Sequence, residues 1–277
     1  MHKILVAFLL IALPLTASAT ECRYSAPRNA DLDAIGLSNL QLNLGSTDLE
    51  IQGVQGLTKI EVRGTACASD QSWLNDLQVK TNRNGSNATV EAQNEHNSFF
   101  GGFGSSYAYL KLQVRVPASL AASVQSGSGD VNATSLASLD FHSGSGDLVA
   151  NQIAGELALR LGSADARARQ VGSVNLQGTG SGDVDIDGVR GDVQANRSGS
   201  GDLTFSNVSG SVNVGHTGSG DVRVRDIGRD VTVESTGSGD VSANGVGGNF
   251  TVHANGSGDI THSNVKGTVS VPKRNDE

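Results

Sequence analysis

The feature that most limits what this chain can fold into is a four-residue phrase, Gly-Ser-Gly-Asp, that returns at nearly constant spacing. Its aspartates are Asp130, Asp147, Asp165, Asp183, Asp202, Asp221, Asp240 and Asp259, separated by 17, 18, 18, 19, 19, 19 and 19 residues. A period near 19 held over eight copies marks stacked repeats rather than one globular core. One position after the aspartate stand Val131, Leu148, Ala166, Val184, Leu203, Val222, Val241 and Ile260. Six positions after it stand Leu136, Ile153, Val171, Val189, Val208, Ile227, Val246 and Val265. The regular copies add a second alternating pair, such as Val212 with Val214 or Phe250 with Val252. Period-two alternation over such short runs predicts strands. Each copy is thus about two short strands and a Gly-rich corner, too little to bury its own apolar face, so copies must stack as coils. The fold class is all-β: a parallel β-helix (solenoid) of about 18–19-residue coils with an N-terminal β-rich cap. A helical reading fails, because the apolar residues within each run fall two apart, as Val222 with Val224 and Val231 with Val233, and Gly recurs throughout.

The phrase itself reads as a corner. Gly stands three residues before every aspartate, at Gly127, Gly144, Gly162, Gly180, Gly199, Gly218, Gly237 and Gly256, which requires either a positive φ or a backbone contact that a Cβ would block. Directly before the aspartate Ala164 replaces Gly once, so that position needs smallness more than positive φ. The intervening serine and the aspartate can both bond backbone N–H groups that a corner leaves unpaired. A second corner is expected five residues after the aspartate, where Gly188, Asn207, Asp226, Gly245 and Asn264 tolerate the left-handed region.

Upstream, residues 45–66 repeat the phrasing loosely, with Asp48, Leu49, Ile51, Val54, Ile60 and Val62 in comparable places, as a lead-in coil would. "LQVKTNRNGSNATVEA" resembles a hairpin turning at Asn84-Gly85, "NSFFGGFGSS" a mobile loop, and "YAYLKLQVRVP" the strand leading into the solenoid. At the far end His262 takes an apolar inward place and "PKRNDE" is fully polar. The expected division is a signal peptide over residues 1–19, a region of cap, lead-in coil and hairpin over 20–118, and the β-helix repeat domain over 119–277.

The apolar run from Ile4 to Leu15, followed by Ala17-Ser18-Ala19, is too short for a stop-transfer helix and reads as a cleaved secretory leader. Glu21 before Cys22 does not suit a lipoprotein cleavage site, and no transmembrane segment is expected in the mature chain. Localisation is therefore expected to be periplasmic or secreted, where Cys22 and Cys67 pair as a disulfide. The formal charge of −8, one more negative once Lys3 leaves with the leader, disfavours nucleic acid and anionic membrane surfaces as partners.

The lead-in strand "LKLQVRVPASLAASVQSGSGDV", the G-x-V-x-V runs and the (S/N)G-(S/D) corners resemble the putative-adhesin family of bacterial β-strand-repeat proteins, over residues 107–271. The resemblance implies exported surface or envelope proteins with β-helical repeats, of unknown function and with no assigned catalytic residues.

Chemistry centres on the aspartate column. Carboxylates stacked ~4.8 Å apart repel by ~1 kcal/mol per pair in water, so either they fan outward and bond corner amides, or cations bridge them. Calcium-binding nonapeptide repeats carry GGxGxD at another period, so no metal site and no cofactor is assigned. Asp185 and Asp187 have the spacing of a glycosidase pair on an outward face, but Arg167 and Arg169 one coil earlier, and Arg223 and Arg225 later, offer a charge ladder without catalysis. His96, His142, His216, His253 and His262 fall at scattered offsets, and no HExxH, Cys/His cluster, nucleophile elbow or phosphate loop appears. The reading is a non-enzymatic scaffold whose partner is an unknown envelope component, glycan or protein. The alternative is a glycan-active β-helix enzyme, a lyase or hydrolase.

Overall fold

The computed structural model describes residues 22–95 and 106–273. The leader at 1–19 and nearly all of the expected loop at 97–106 lie outside the described residues.

In the regular copies each coil contributes two six-residue strands, for example Leu203–Val208 and Val212–Thr217, then Val222–Ile227 and Val231–Thr236. Every strand pairs in parallel with the same strand of the next coil. One ladder runs Val184, Leu203, Val222, Val241, Ile260, and the other Val193, Val212, Val231, Phe250, Val269. The 19-residue period has become the vertical step of a parallel β-solenoid, and the apolar columns have become its core. Phe141, Phe205 and Phe250 are all fully buried within it.

Alternation in each first strand breaks once, where two successive residues face outward. The second of them, five after the aspartate, has positive φ at Gly188, Asn207, Asp226, Gly245 and Asn264. The same turn occurs at Ser135, Gln152 and Gln170, residue types that carry no left-handed preference. Stacking there overrides local propensity. The second strands of the regular coils carry a similar outward doublet, such as Gly215-His216, and the shorter coils drop residues from that doublet or from the turn between strands. In the 17-residue coil Leu139 follows Leu136 by three positions, and alternation runs unbroken through Phe141 to Ser143.

The first strands are β1 (Tyr24–Pro27), β2 (Ala30–Asp33), β3 (Asn39–Gly45), β4 (Asp48–Val54), β5 (Lys59–Ala68), β6 (Leu77–Asn84), β7 (Asn87–Asn94), β8 (Ala108–Pro117) and β9 (Ala121–Ser126). After them come β10 (Val131–Thr134), β11 (Ser138–Ser143), β12 (Leu148–Leu161) and β13 (Ala166–Gly178). Stack order departs from chain order here. In one wall β4 lies between β8 and β10, and in the other β3 lies between β7 and β9, all parallel. The lead-in coil is therefore sandwiched, and β8 passes it to reach β9. Leu49 and Ile51 do join the solenoid columns, opposite Val131 and Ala133. Ile60 and Val62, expected in comparable places, instead belong to β5, which runs antiparallel to β1, β2 and β8.

The antiparallel strands form the cap. Its small core is Ala66, Ala68, Leu74, Leu77 and Leu110, and a disulfide joins Cys22 to Cys67, Cα atoms 5.5 Å apart. Strands β6 and β7 make the expected hairpin, shifted by one residue: Asn84 pairs with Asn87, and the turn is Gly85-Ser86. Gly85 takes the positive φ at the first turn position, where no Cβ interferes.

Candidate functional site

The corner becomes intelligible from its backbone groups. Four residues before the aspartate an inward hydroxyl donates to the carbonyl of the following glycine: Ser126 to Gly129 O, Ser143 to Gly146 O, Thr179 to Gly182 O and Ser198 to Gly201 O, at 2.6–2.9 Å. That carbonyl is thus turned into the coil, and the N–H of the next coil's aspartate has no backbone acceptor beneath it. The carboxylate below fills the vacancy. Oδ1 of Asp130 accepts from the N–H of Asp147 (3.0 Å), and so on through Asp165, Asp183, Asp202, Asp221 and Asp240 to the N–H of Asp259 (2.7 Å). Asp48 of the sandwiched coil starts the column by accepting from Asp130 (3.2 Å). The bond runs between coils rather than within one.

The hydroxyl column was missed in the sequence because Leu161 interrupts it and Ser, Thr and Asn share it. Thr217 in this column is buried with Oγ1 unbonded, and nothing in the structure explains it. The glycine three before each aspartate has no positive φ; a Cβ there would meet the backbone carbonyl of its counterpart one coil below, 2.5 Å away at Gly237. The serine between the two glycines, expected to bond backbone N–H groups, is exposed in all eight copies, and Ser145 donates to a carbonyl instead (3.4 Å to Gly127 O). A second, unforeseen column lies nine residues after the aspartate, where Oδ1 of Asp192, Asp230 and Asn249 accept the N–H groups of Ser211, Asn249 and Thr268.

Charge on the outward face is distributed differently from the expected ladder. Arg167 does stand beside Asp185, and Arg169 beside Asp187, in register. The guanidinium of Arg167 nevertheless goes to corner Asp165 (3.4 Å), and Asp187 accepts from Asn207. Arg223 bridges two corner carboxylates, Asp202 (2.6 Å) and Asp221. Its hydrogen bond, with the Asp221 N–H second, holds the Asp202 carboxyl below the ordinary carboxylate range, and the same contact raises Arg223. Asp185 and Asp187 line a shallow hollow of about 540 Å³ together with Arg167, Arg169 and Arg225. His216 meets Ser235 (2.6 Å) and His253 meets Glu234 (3.2 Å), well apart along the chain from Asp185 and Asp187. His96 lies outside the described residues. Among the described residues no three His, Cys, Asp or Glu gather as a metal site would require.

A second hollow, of about 460 Å³, opens on the other wall near the cap. Five parallel strands, β7, β3, β9, β11 and β12, cross it in register. Their outward residues make two rows: Asn87, Asn39, Ala121, Ser138, Glu156, and Thr89, Gln41, Ser123, Asp140, Ala158. Small side chains, Ala121, Ser123 and Ser138, form the middle, and Ala158 on the last strand is only 8% exposed although it points away from the core. No signal for this hollow exists in any one repeat, since it is built across strands from both sides of the cap.

The architecture defines the class: a parallel β-solenoid with a disulfide-linked β cap. The sequence matches the Toastrack DUF4097 family over residues 37–274, and the chain belongs to that family. Similar solved structures include a "putative lipid binding protein" of Parabacteroides distasonis (16% identity, 86% of this chain and 96% of that one, TM-score 0.47). A "putative adhesin" of Parabacteroides merdae (12%, 87% and 97%, TM-score 0.40) and a "putative cell adhesion protein" of Clostridium sporogenes (14%, 90% and 99%, TM-score 0.32) are also similar. No curated protein matches the sequence. Among the described residues no helix is long and apolar enough to cross a membrane.

Proposed function

We propose that this is an exported, non-enzymatic surface or envelope protein, an adhesin-like scaffold that binds an envelope component, a glycan or another protein through its outward strand faces. The carrying observation is the division of labour within each coil. The recurring glycines, hydroxyls and aspartates are spent on stacking, while outward positions change freely from coil to coil, from Arg167 and Arg169 to Asp185 and Asp187 to Thr204 and Ser206. A rigid frame with independently variable rows suits recognition. Export is supported by the leader-like first 19 residues and by the Cys22–Cys67 bond, which suits an oxidising compartment. In this reading the aspartate column is structural, its carboxylates committed to corner amides and to Arg223.

The test is to incubate the purified mature protein with intact envelope fractions and follow both capture and chemistry. Saturable capture without new reducing ends or unsaturated sugars is the expected result. Release of either product, lost in an Asp185→Asn, Asp187→Asn double variant, would establish the glycan-active alternative instead.

A further inference from the structure

The hollow beside the cap has a more definite chemistry than the rest of the surface. Its two outward rows cross five strands, a span of ~19 Å at the spacing of a sheet. Amides occupy one end. Asn39 donates to Asn87 (3.1 Å) and Gln41 to Asn43 (3.2 Å), so these groups are held in place, and Asn39 and Gln41 keep their carbonyl oxygens available. The middle is floored by Ala121, Ser123 and Ser138, and the small floor continues to Ala158 on the last strand. Two carboxylates flank that end: Asp140 on β11, directly across from Ala158, and Glu156 on β12, two residues before Ala158.

Neither carboxylate receives a hydrogen bond from the described residues. Oδ1 of Asp140 is buried and accepts no hydrogen bond, with Nε2 of His142 3.2 Å away as its one close cationic neighbour when protonated. The side chain is nonetheless 46% exposed, so it can accept from a ligand. Carboxylates of the cap are engaged instead, Asp31 by Arg63 and Glu61 by Arg115.

These features select a ligand class by elimination. All five strands are paired on both sides, which leaves no edge for an added peptide strand. The two large exposed hydrophobics among the described residues, Ile35 and Val149, are not in the hollow, so it offers no anchor pocket of the kind protein interfaces use. Two carboxylates with no Lys or Arg partner repel anions. What remains is a ligand dense in hydroxyl donors and free of negative charge. We infer that the hollow formed by β7, β3, β9, β11 and β12 binds a neutral glycan segment, with Asp140 and Glu156 accepting from sugar hydroxyls and the small-residue floor admitting the pyranose rings. The inference rests on the reading of this protein as a binding scaffold and names one ligand of it.

The experiment follows amide chemical shifts of the mature protein titrated separately with cellohexaose, maltohexaose, chitohexaose, hexagalacturonate and hexalysine. At least one neutral hexasaccharide is expected to saturate shifts in these five strands. Hexagalacturonate should bind about tenfold more weakly or not at all, since each lost charged hydrogen bond is worth about that factor. Asp140→Asn should weaken the neutral sugar by about tenfold on the same grounds. Ser123→Trp should abolish binding by filling the floor, and Arg169→Ala on the other wall should change nothing. Asp140→Asn is near-isosteric and remains informative if Ser123→Trp fails to fold. Binding by none of the three neutral sugars, tighter binding of hexagalacturonate or hexalysine, or undiminished binding by Asp140→Asn would each overturn the inference. Envelope capture that persists in such a case would leave the scaffold reading standing, which separates the two failures.

Discussion

At the scale of single residues, neighbouring positions in the same phrase carry opposite mutational sensitivity. Gly237 and Ser238 are adjacent, yet a Cβ on the first would lie 2.5 Å from the carbonyl oxygen of Gly218, while the second is solvent-exposed. The obstacle is backbone, which cannot swing aside as a side chain can. Gly237→Ala is expected to cost about 1–3 kcal/mol by forcing the coils apart locally, and Ser238→Ala less than about 0.5 kcal/mol; chemical denaturation of both variants checks the contrast. Arg223 sets a pH-dependent effect. Its contact depresses the folded-state carboxyl of Asp202, so the stabilisation is fully present above the unfolded carboxylate range and is lost as pH falls through the folded value. Arg223→Ala should therefore destabilise at neutral pH, and its gap from wild type should close below about pH 4, as unfolding midpoints between pH 2 and 7 would reveal. Solvent screening at this partly exposed pair keeps the effect small.

At the scale of the element, each strand is too short to be stable alone, and its stability comes from the strand above and the strand below. Val208 ends the strand Leu203–Val208, is 1% exposed, and stands in register between Val189 and Ile227. Val208→Asp would bury a charge with no partner in the middle of the rod and should cost several kcal/mol. Thermal unfolding at the wild-type temperature would show that the column is not the core. The strands also show where local preference yields to stacking. Gly and Asn at the left-handed position announce the bend at Gly188, Asn207, Gly245 and Asn264, but Ser135, Gln152 and Gln170 adopt it without any such signal. Those three are carried by register with the coil below, a relation no single coil contains.

At the scale of the whole molecule, the rod is a nearest-neighbour assembly with a distinct end. The Cys22–Cys67 bond closes a loop of 45 residues, worth ~4 kcal/mol in the chain-entropy model, and it fastens the start of the described chain to β5. Coils far from it share no contacts with it. Reduction should therefore raise amide exchange over residues 22–33 and leave the strands between residues 203 and 255 protected. Uniform loosening along the rod would instead mean that the cap and the coils unfold as one unit.

The period of the aspartates, the apolar columns and the alternation within strands were legible in the amino-acid order alone, because a solenoid translates sequence periodicity directly into vertical register. Pairing of the two cysteines was legible for a simpler reason, since there are two and they meet. Tertiary structure alone decided that the lead-in coil lies between β8 and β10 rather than ahead of both, since a non-sequential stack leaves no trace in spacing. It also decided that each corner carboxylate serves the coil above, that Arg223 joins two corners instead of pairing with the Asp185 row, and that ten outward residues from five strands share one hollow. The physical reason is common to all four: spacing tells which residues stack one above another, but not which donor or acceptor a side chain reaches, nor which strands join the stack from outside the repeat.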